Sequence, residues 1–189
     1  MDELMWSVAR TSGMISLLLL TGTLLVGIMA RSGRAFGGLS RYTQSLLHRS
    51  FSLLCVIFVM LHVLSLLADS YAKMQIIDIV VPFLGDYRPF WQGLGTVSFS
   101  LMIAIALTGL LRRHLSQRVF RGIHLTAYLM WPIAVAHGLG TGTDAGTLWY
   151  RIATVVSIGL VLAAVIWRLT ANYLDHSATR RLAREGVKL

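Results

Sequence analysis

The 189 residues are 56% hydrophobic and only 13% charged, with a formal net charge of +9 and a mean hydropathy of +0.69. A soluble domain needs about a quarter of its residues charged, so this composition excludes an ordinary water-soluble fold. The basic excess falls between apolar runs, which points to a membrane surface and not to nucleic acid. A lone cysteine, Cys55, excludes an intrachain disulfide and any cysteine-rich zinc or iron–sulfur centre.

Five apolar stretches reach the length that crosses a hydrocarbon core. In chain order they cover about residues 5–30, 46–68, 91–111, 119–139 and 148–173. The first begins after Asp2 and Glu3, without the basic leader of a cleavable signal. Ser, Gly and Thr recur through it, as at close helix contacts in lipid. The expected fold is an all-α integral membrane protein, a five-helix bundle forming a single domain over 1–189 with a tail at 174–189. No connection between spans has room for a nucleotide-binding fold.

The charges orient this bundle. Arg31, Arg34, Arg41 and Arg49 lie between spans one and two, and Arg112, Arg113, Arg118 and Arg121 between spans three and four. Arg168, Arg180, Arg181, Arg184 and Lys188 follow at the C-terminal end. Asp2, Glu3, Asp69, Asp78, Asp86 and Asp144 fall on the opposite side. The positive-inside rule then places the N-terminus outside and the C-terminus in the cytoplasm, as expected of a multi-pass protein of a cell membrane, the bacterial cytoplasmic membrane in particular. The connection over 70–90 is too apolar for a free loop and is broken by Pro82, Gly85 and Pro89. It is expected at the outer interface, either as an ordinary amphipathic segment or as a cover over a site.

Four of the six histidines lie inside spans, His48 and His62 in the second and His124 and His137 in the fourth. His114 and His176 flank spans on the cytoplasmic side and are expected to be solvated. An ionisable residue within a span is costly and marks a functional site by default. The spacings of fourteen and thirteen residues separate each pair by about 20 Å along a helix. Spans two and four run in the same direction, so His48 faces His124 at the inner level and His62 faces His137 at the outer level.

Zinc recruits a third or fourth side chain and a proton relay uses intramembrane carboxylates; these spans offer neither. Haem iron needs only two axial imidazoles, because the porphyrin supplies the other four ligands. The expectation is two b-type haems, with His48, His62, His124 and His137 as iron ligands and no catalytic residue beyond them. Arg49 and Arg121 are candidates for the haem propionates at the inner level, alongside Arg41 and Arg113. Arg10, Arg88 and Arg151 are available outside, and topology alone accounts for any one of these arginines equally well. One spacing is awkward. Thirteen residues put His137 about 140° from His124 on an ideal helix, so tilt or a change of winding must absorb the difference, and Pro132 lies where it can kink the helix.

These residues resemble the ferric-reductase-like transmembrane domain family, which includes NADPH oxidases, ferric reductases and the haem subunit of the bacterial methionine sulfoxide reductase system. The histidine spacings and the H-x3-Y-x2-W-P-x4-H-G pattern from His124 to Gly138 carry the resemblance, which spans roughly residues 10–172. It implies the haem-containing membrane component of an oxidoreductase. Larger members add a sixth span and a cytoplasmic flavin and nicotinamide domain, both missing here. Electrons would therefore come from a separate donor, a flavoprotein or the quinone pool, and pass to an unidentified acceptor outside. Two other readings remain: a quinol-oxidising cytochrome b subunit, with Asp144 as a weak candidate for its site, and a non-catalytic membrane assembly subunit whose histidines only hydrogen-bond between helices.

Overall fold

The computed structural model describes residues 2–32, 38–70, 72 and 74–170. The expected tail at 174–189, the end of the fifth span, His176 and Arg34 lie outside the described residues. Among the described residues seven α-helices follow one another: α1 (Asp2–Ser32), α2 (Arg41–Ala68), α3 (Ile76–Val80), α4 (Pro89–Leu110), α5 (Gln117–Leu125), α6 (Ala127–Thr141) and α7 (Leu148–Leu169), with a short 3-10 turn at Thr143–Gly146. Five helical segments are long and apolar enough to cross a membrane: α1, α2, α4, α5 with α6, and α7. The fold is therefore the all-α membrane bundle that the hydropathy pattern predicts.

Local chemistry starts these helices where the apolar runs begin. The Ser40 hydroxyl accepts from the Thr43 amide at 3.1 Å to open α2, and Ser116 accepts from Val119 at 3.4 Å to open α5. Pro89 stands in the first turn of α4, where a missing N–H costs nothing. Inside α1, Ser16 and Thr21 return their hydroxyls to their own helix, to the Ser12 and Leu17 carbonyls at 2.7 and 2.8 Å. A polar group in lipid must be satisfied internally, and these small residues also let neighbours approach closely.

The most enclosed span is α1. It runs antiparallel to α2 along most of its length, α4 packs antiparallel to α6, and α1 joins the two halves through α6 and α7. The core sits at that junction: Leu17, Leu24 and Ile28 of α1 meet Trp131 and Val135 of α6 and Val161 of α7. Trp131 donates its indole N–H to the Thr21 hydroxyl at 3.0 Å, which satisfies the one polar atom on that large ring. The outer face of α7 presents Ile152, Val155, Leu162 and Ile166 to its surroundings, as expected for a surface solvated by lipid.

The polar ends differ in sign. Arg31, Arg41, Arg49, Arg112, Arg113, Arg118, Arg121 and Arg168 gather at one end, and Asp69, Asp78, Asp86 and Asp144 at the other. At the acidic end Arg10 of α1 forms an ion pair with Asp144 of the 3-10 turn. At the basic end Arg168 of α7 donates to the Tyr128 hydroxyl of α6.

Candidate functional site

The register between α1 and α2 determines where two of the histidine rings point. His48 Nδ1 lies 2.9 Å from the Thr23 carbonyl and His62 Nδ1 lies 2.8 Å from the Ala9 carbonyl. A carbonyl only accepts, so in both rings Nδ1 carries the hydrogen and Nε2 keeps its lone pair. On the other half of the bundle, His137 Nδ1 donates in the same way to the Trp91 carbonyl of α4, at 2.9 Å. His124 differs, because its Nδ1 is buried with no hydrogen-bond partner among the described residues. Its ring lies instead against Phe120, with centroids 5.2 Å apart and planes 19° apart.

The four rings meet in the pairs that the parallel spans predict. His48 and His124 have centroids 6.0 Å apart and planes at 68°; His62 and His137 have centroids 6.4 Å apart and planes at 78°. The first pair lies at the basic end and the second at the acidic end. Between α1 and α2 on one side and α4 and α6 on the other, a cavity reaches the second pair, and both of its rings line the cavity wall.

Three glycines make room for these rings. A Cβ on Gly13 would stand 3.0 Å from His62, one on Gly27 would stand 3.1 Å from His48, and one on Gly95 would stand only 2.5 Å from His137. Gly13 and Gly27 are fourteen residues apart, as are His48 and His62, so the antiparallel register places a notch opposite each ring. Sequence reasoning missed these positions, although the matched spacing was there to find. Among the described residues no glycine lies against His124.

The change of winding needed on the fourth span occurs at Thr126, not at Pro132. The helix continues through Pro132, whereas between α5 and α6 the Thr126 amide bonds to the Ile123 carbonyl at 3.0 Å and the Leu129 amide bonds to the Thr126 carbonyl, also at 3.0 Å. These three-residue bonds tighten the turn and rotate α5 relative to α6, so that His124 and His137 can both face α2.

The described residues of the segment over 70–90, which are 70, 72 and 74–90, reach the acidic-end pair. Ala72, Met74, Ile79 and Tyr87 line the same cavity as His62 and His137. The Thr96 hydroxyl of α4 donates to the Asp78 carbonyl at 2.7 Å and holds α3 down. The Phe83 ring occupies the space that a side chain at position 93 would need. These contacts place the segment against the cavity wall.

Of the arginines, Arg49 is exposed and Arg121 half-buried at the basic end. The guanidinium groups close enough to act on His124 electrostatically are those of Arg112 and Arg31. Arg112 also lies over the Phe120 ring, 5.0 Å from its centroid. At the acidic end Arg10 is bound to Asp144 and Arg88 donates to the Gly140 carbonyl. Among the described residues no group of three or more His, Cys, Asp or Glu side chains could hold a metal ion, so each histidine pair stands as a two-ligand set.

Fold and site together define a multi-pass helical membrane protein with two levels of facing histidines. The ferric reductase like transmembrane component family matches residues 12–135, more than half of the chain, and the chain belongs to that family. The matched region holds His48, His62 and His124 and stops two residues short of His137. No curated protein and no solved structure matches the chain. Domains of this family are generally haem-binding, and membership points to transmembrane electron transfer with redox partners.

Proposed function

We propose that this protein is a transmembrane electron-transfer cytochrome b, a single domain that carries electrons from a donor on the cytoplasmic side to an acceptor on the outer face. In this reading His48 with His124 and His62 with His137 hold two b-type haems, the first pair near the cytoplasm. The observation that carries the reading is the pairing of four intramembrane imidazoles at two levels. Two imidazoles that bind one metal from opposite sides, each by a nitrogen about 2.0 Å away, have centroids about 6.3 Å apart. The observed 6.0 and 6.4 Å fit that requirement, and the two-ligand sets suit a group that brings its own equatorial nitrogens. When bound, haem supplies a one-electron iron couple at each level.

The chain's own residues do the rest. The Thr23, Ala9 and Trp91 carbonyls hold three rings by Nδ1 and leave Nε2 available; such a bond orients a ligating histidine and raises its basicity. Gly13, Gly27 and Gly95 let those rings sit against α1 and α4. The cover over 72–87 limits water at the acidic-end level. Arg49 and Arg121, with Arg31 and Arg112, supply positive charge for carboxylates at the basic end. That end faces the cytoplasm by the positive-inside rule, and the donor that docks there is a separate flavoprotein or the quinone pool. Asp144, the one acidic candidate for a quinol site, is engaged with Arg10, which favours electron relay over quinol oxidation at the acidic end.

A dithionite-reduced minus oxidised spectrum of the detergent-purified chain, with haem quantified per chain, tests the reading. Two b-type haems with bis-imidazole bands are expected. A colourless protein after expression with ample haem would overturn it in favour of an assembly subunit.

A further inference from the structure

We propose that Phe120 is the positioning residue for His124, setting the plane of its imidazole by stacking where the other three histidines use a backbone carbonyl. This rests on the two-haem reading above. The reason for the exception lies in the packing. Both histidines of α2 have α1 running alongside, and His137 has α4, so each finds a carbonyl at the right height. The helix carrying His124 is only 9 residues long, has no fully buried residue, and turns away from α6 at Thr126. Among the described residues no carbonyl reaches its Nδ1, which is left buried without a partner.

Phe120 lies four residues before His124, on the same face of α5. Its ring is offset-stacked on the imidazole at 5.2 Å and 19°, within the range of favourable aromatic pairs. Turning the imidazole about its Cβ–Cγ bond would drive its edge into the phenyl face, so the stack restricts the torsion that a hydrogen bond would otherwise restrict. Arg112 lies over the phenyl ring at 5.0 Å, a cation–π contact that ties Phe120 to the loop after α4.

Two consequences follow for the group held there. Without a hydrogen bond from Nδ1, His124 would be a weaker donor to a haem iron than its three counterparts. The nearby charges of Arg112 and Arg31 would also favour the reduced, less positive form of a group held there. Both effects would raise the reduction potential of a haem held there relative to the same site with an Nδ1 hydrogen bond and no nearby cation.

The test uses the full chain in the His137→Ala background, which isolates the basic-end signal, and compares Phe120→Ala, Phe120→Leu and Phe120→Trp. Low-temperature electron paramagnetic resonance of the oxidised protein reads the orientation of the axial imidazoles, and a redox titration reads the potential. Phe120→Ala and Phe120→Leu should shift and broaden the low-spin signal and move the potential, while Phe120→Trp, which keeps an aromatic face, should stay near the parent. The leucine variant decides the matter if the alanine variant does not fold. An unshifted signal in Phe120→Leu, or an equal shift in Phe120→Trp, overturns the positioning role. An intact two-haem spectrum in the unsubstituted chain alongside that result would leave the two-haem reading standing. A haem-free unsubstituted chain would remove both.

Discussion

At the acidic end, His62 and His137 both donate Nδ1–H to a carbonyl and both rest in a glycine notch. At the basic end His48 has both supports and His124 has neither, being held by an aromatic stack. The centroid separations are nevertheless close, at 6.4 and 6.0 Å. Similar pairings can thus be reached by unequal means, and the difference follows from what the adjoining helix presents. Three rings face a carbonyl and a glycine of α1 or α4, while among the described residues His124 on α5 faces neither.

The strongest way to separate the two levels is to remove one ligand from each. His137→Ala should abolish the acidic-end haem and His124→Ala the basic-end haem, each taking about half of the reduced-minus-oxidised absorbance, since an iron site with one ligand gone loses its bis-imidazole character. Loss of the same spectral component in both variants would show that the pairing is wrong. The glycine notches come next. Gly95→Ala places a methyl against the His137 ring at 2.5 Å, and overpacking of this kind costs about 1 to 3 kcal/mol. It should lower haem retention at the acidic end only. Gly27→Ala meets His48 at the looser 3.1 Å, so its thermal melt should fall by less, and an equal effect from both would break the ordering.

The Arg10–Asp144 pair belongs to the acidic end alone. Its side chains keep 33% and 15% of their exposure, between a surface pair and a buried one, so Asp144→Ala should cost about 1 kcal/mol in thermal stability. The basic-end spectrum should not move. The Thr21–Trp131 bond lies between the levels and belongs to neither. Thr21→Val leaves a buried indole N–H unpaired at a cost of about 1 kcal/mol and should leave both spectra in place. Last, His114 is exposed in the loop after α4, and His114→Ala should change neither haem content nor melting temperature; a loss of haem there would mean that this loop takes part in the site.

The bundle itself was legible in the amino-acid sequence. Runs such as SLLLLTGTLLVGIMA in α1 and SLLCVIFVMLHVLSLLA in α2 satisfy the one demand lipid makes, that backbone polar groups close within the segment. Hydropathy therefore located all five spans, and the helix bounds differ mainly at α2, which starts at Arg41, five residues before the expected 46. There the Ser40 cap and the basic residues extend the helix beyond the apolar run. The segregation of Arg from Asp was equally plain, as were the four histidines and their matched order, because all are one-dimensional features.

What required tertiary structure were contacts between segments far apart in the chain. Which carbonyl meets His62 depends on how α1 lies against α2, and nothing local to either helix names Ala9 as the partner. The notches at Gly13 and Gly27 gain meaning only from that antiparallel register. The turn at Thr126, where sequence pointed to Pro132, rests on the three-residue hydrogen bonds on either side of Thr126, which no local sequence signal names. Likewise Phe120 reads in sequence as one more apolar residue, and only the absence of an acceptor near His124 gives its ring a distinct part. Sequence determines which side chains enter the membrane and at what height, because solvation acts on each segment separately. Tertiary packing decides what holds each ring in place, because it settles which rings meet a carbonyl of another helix and which is left to a neighbour on its own.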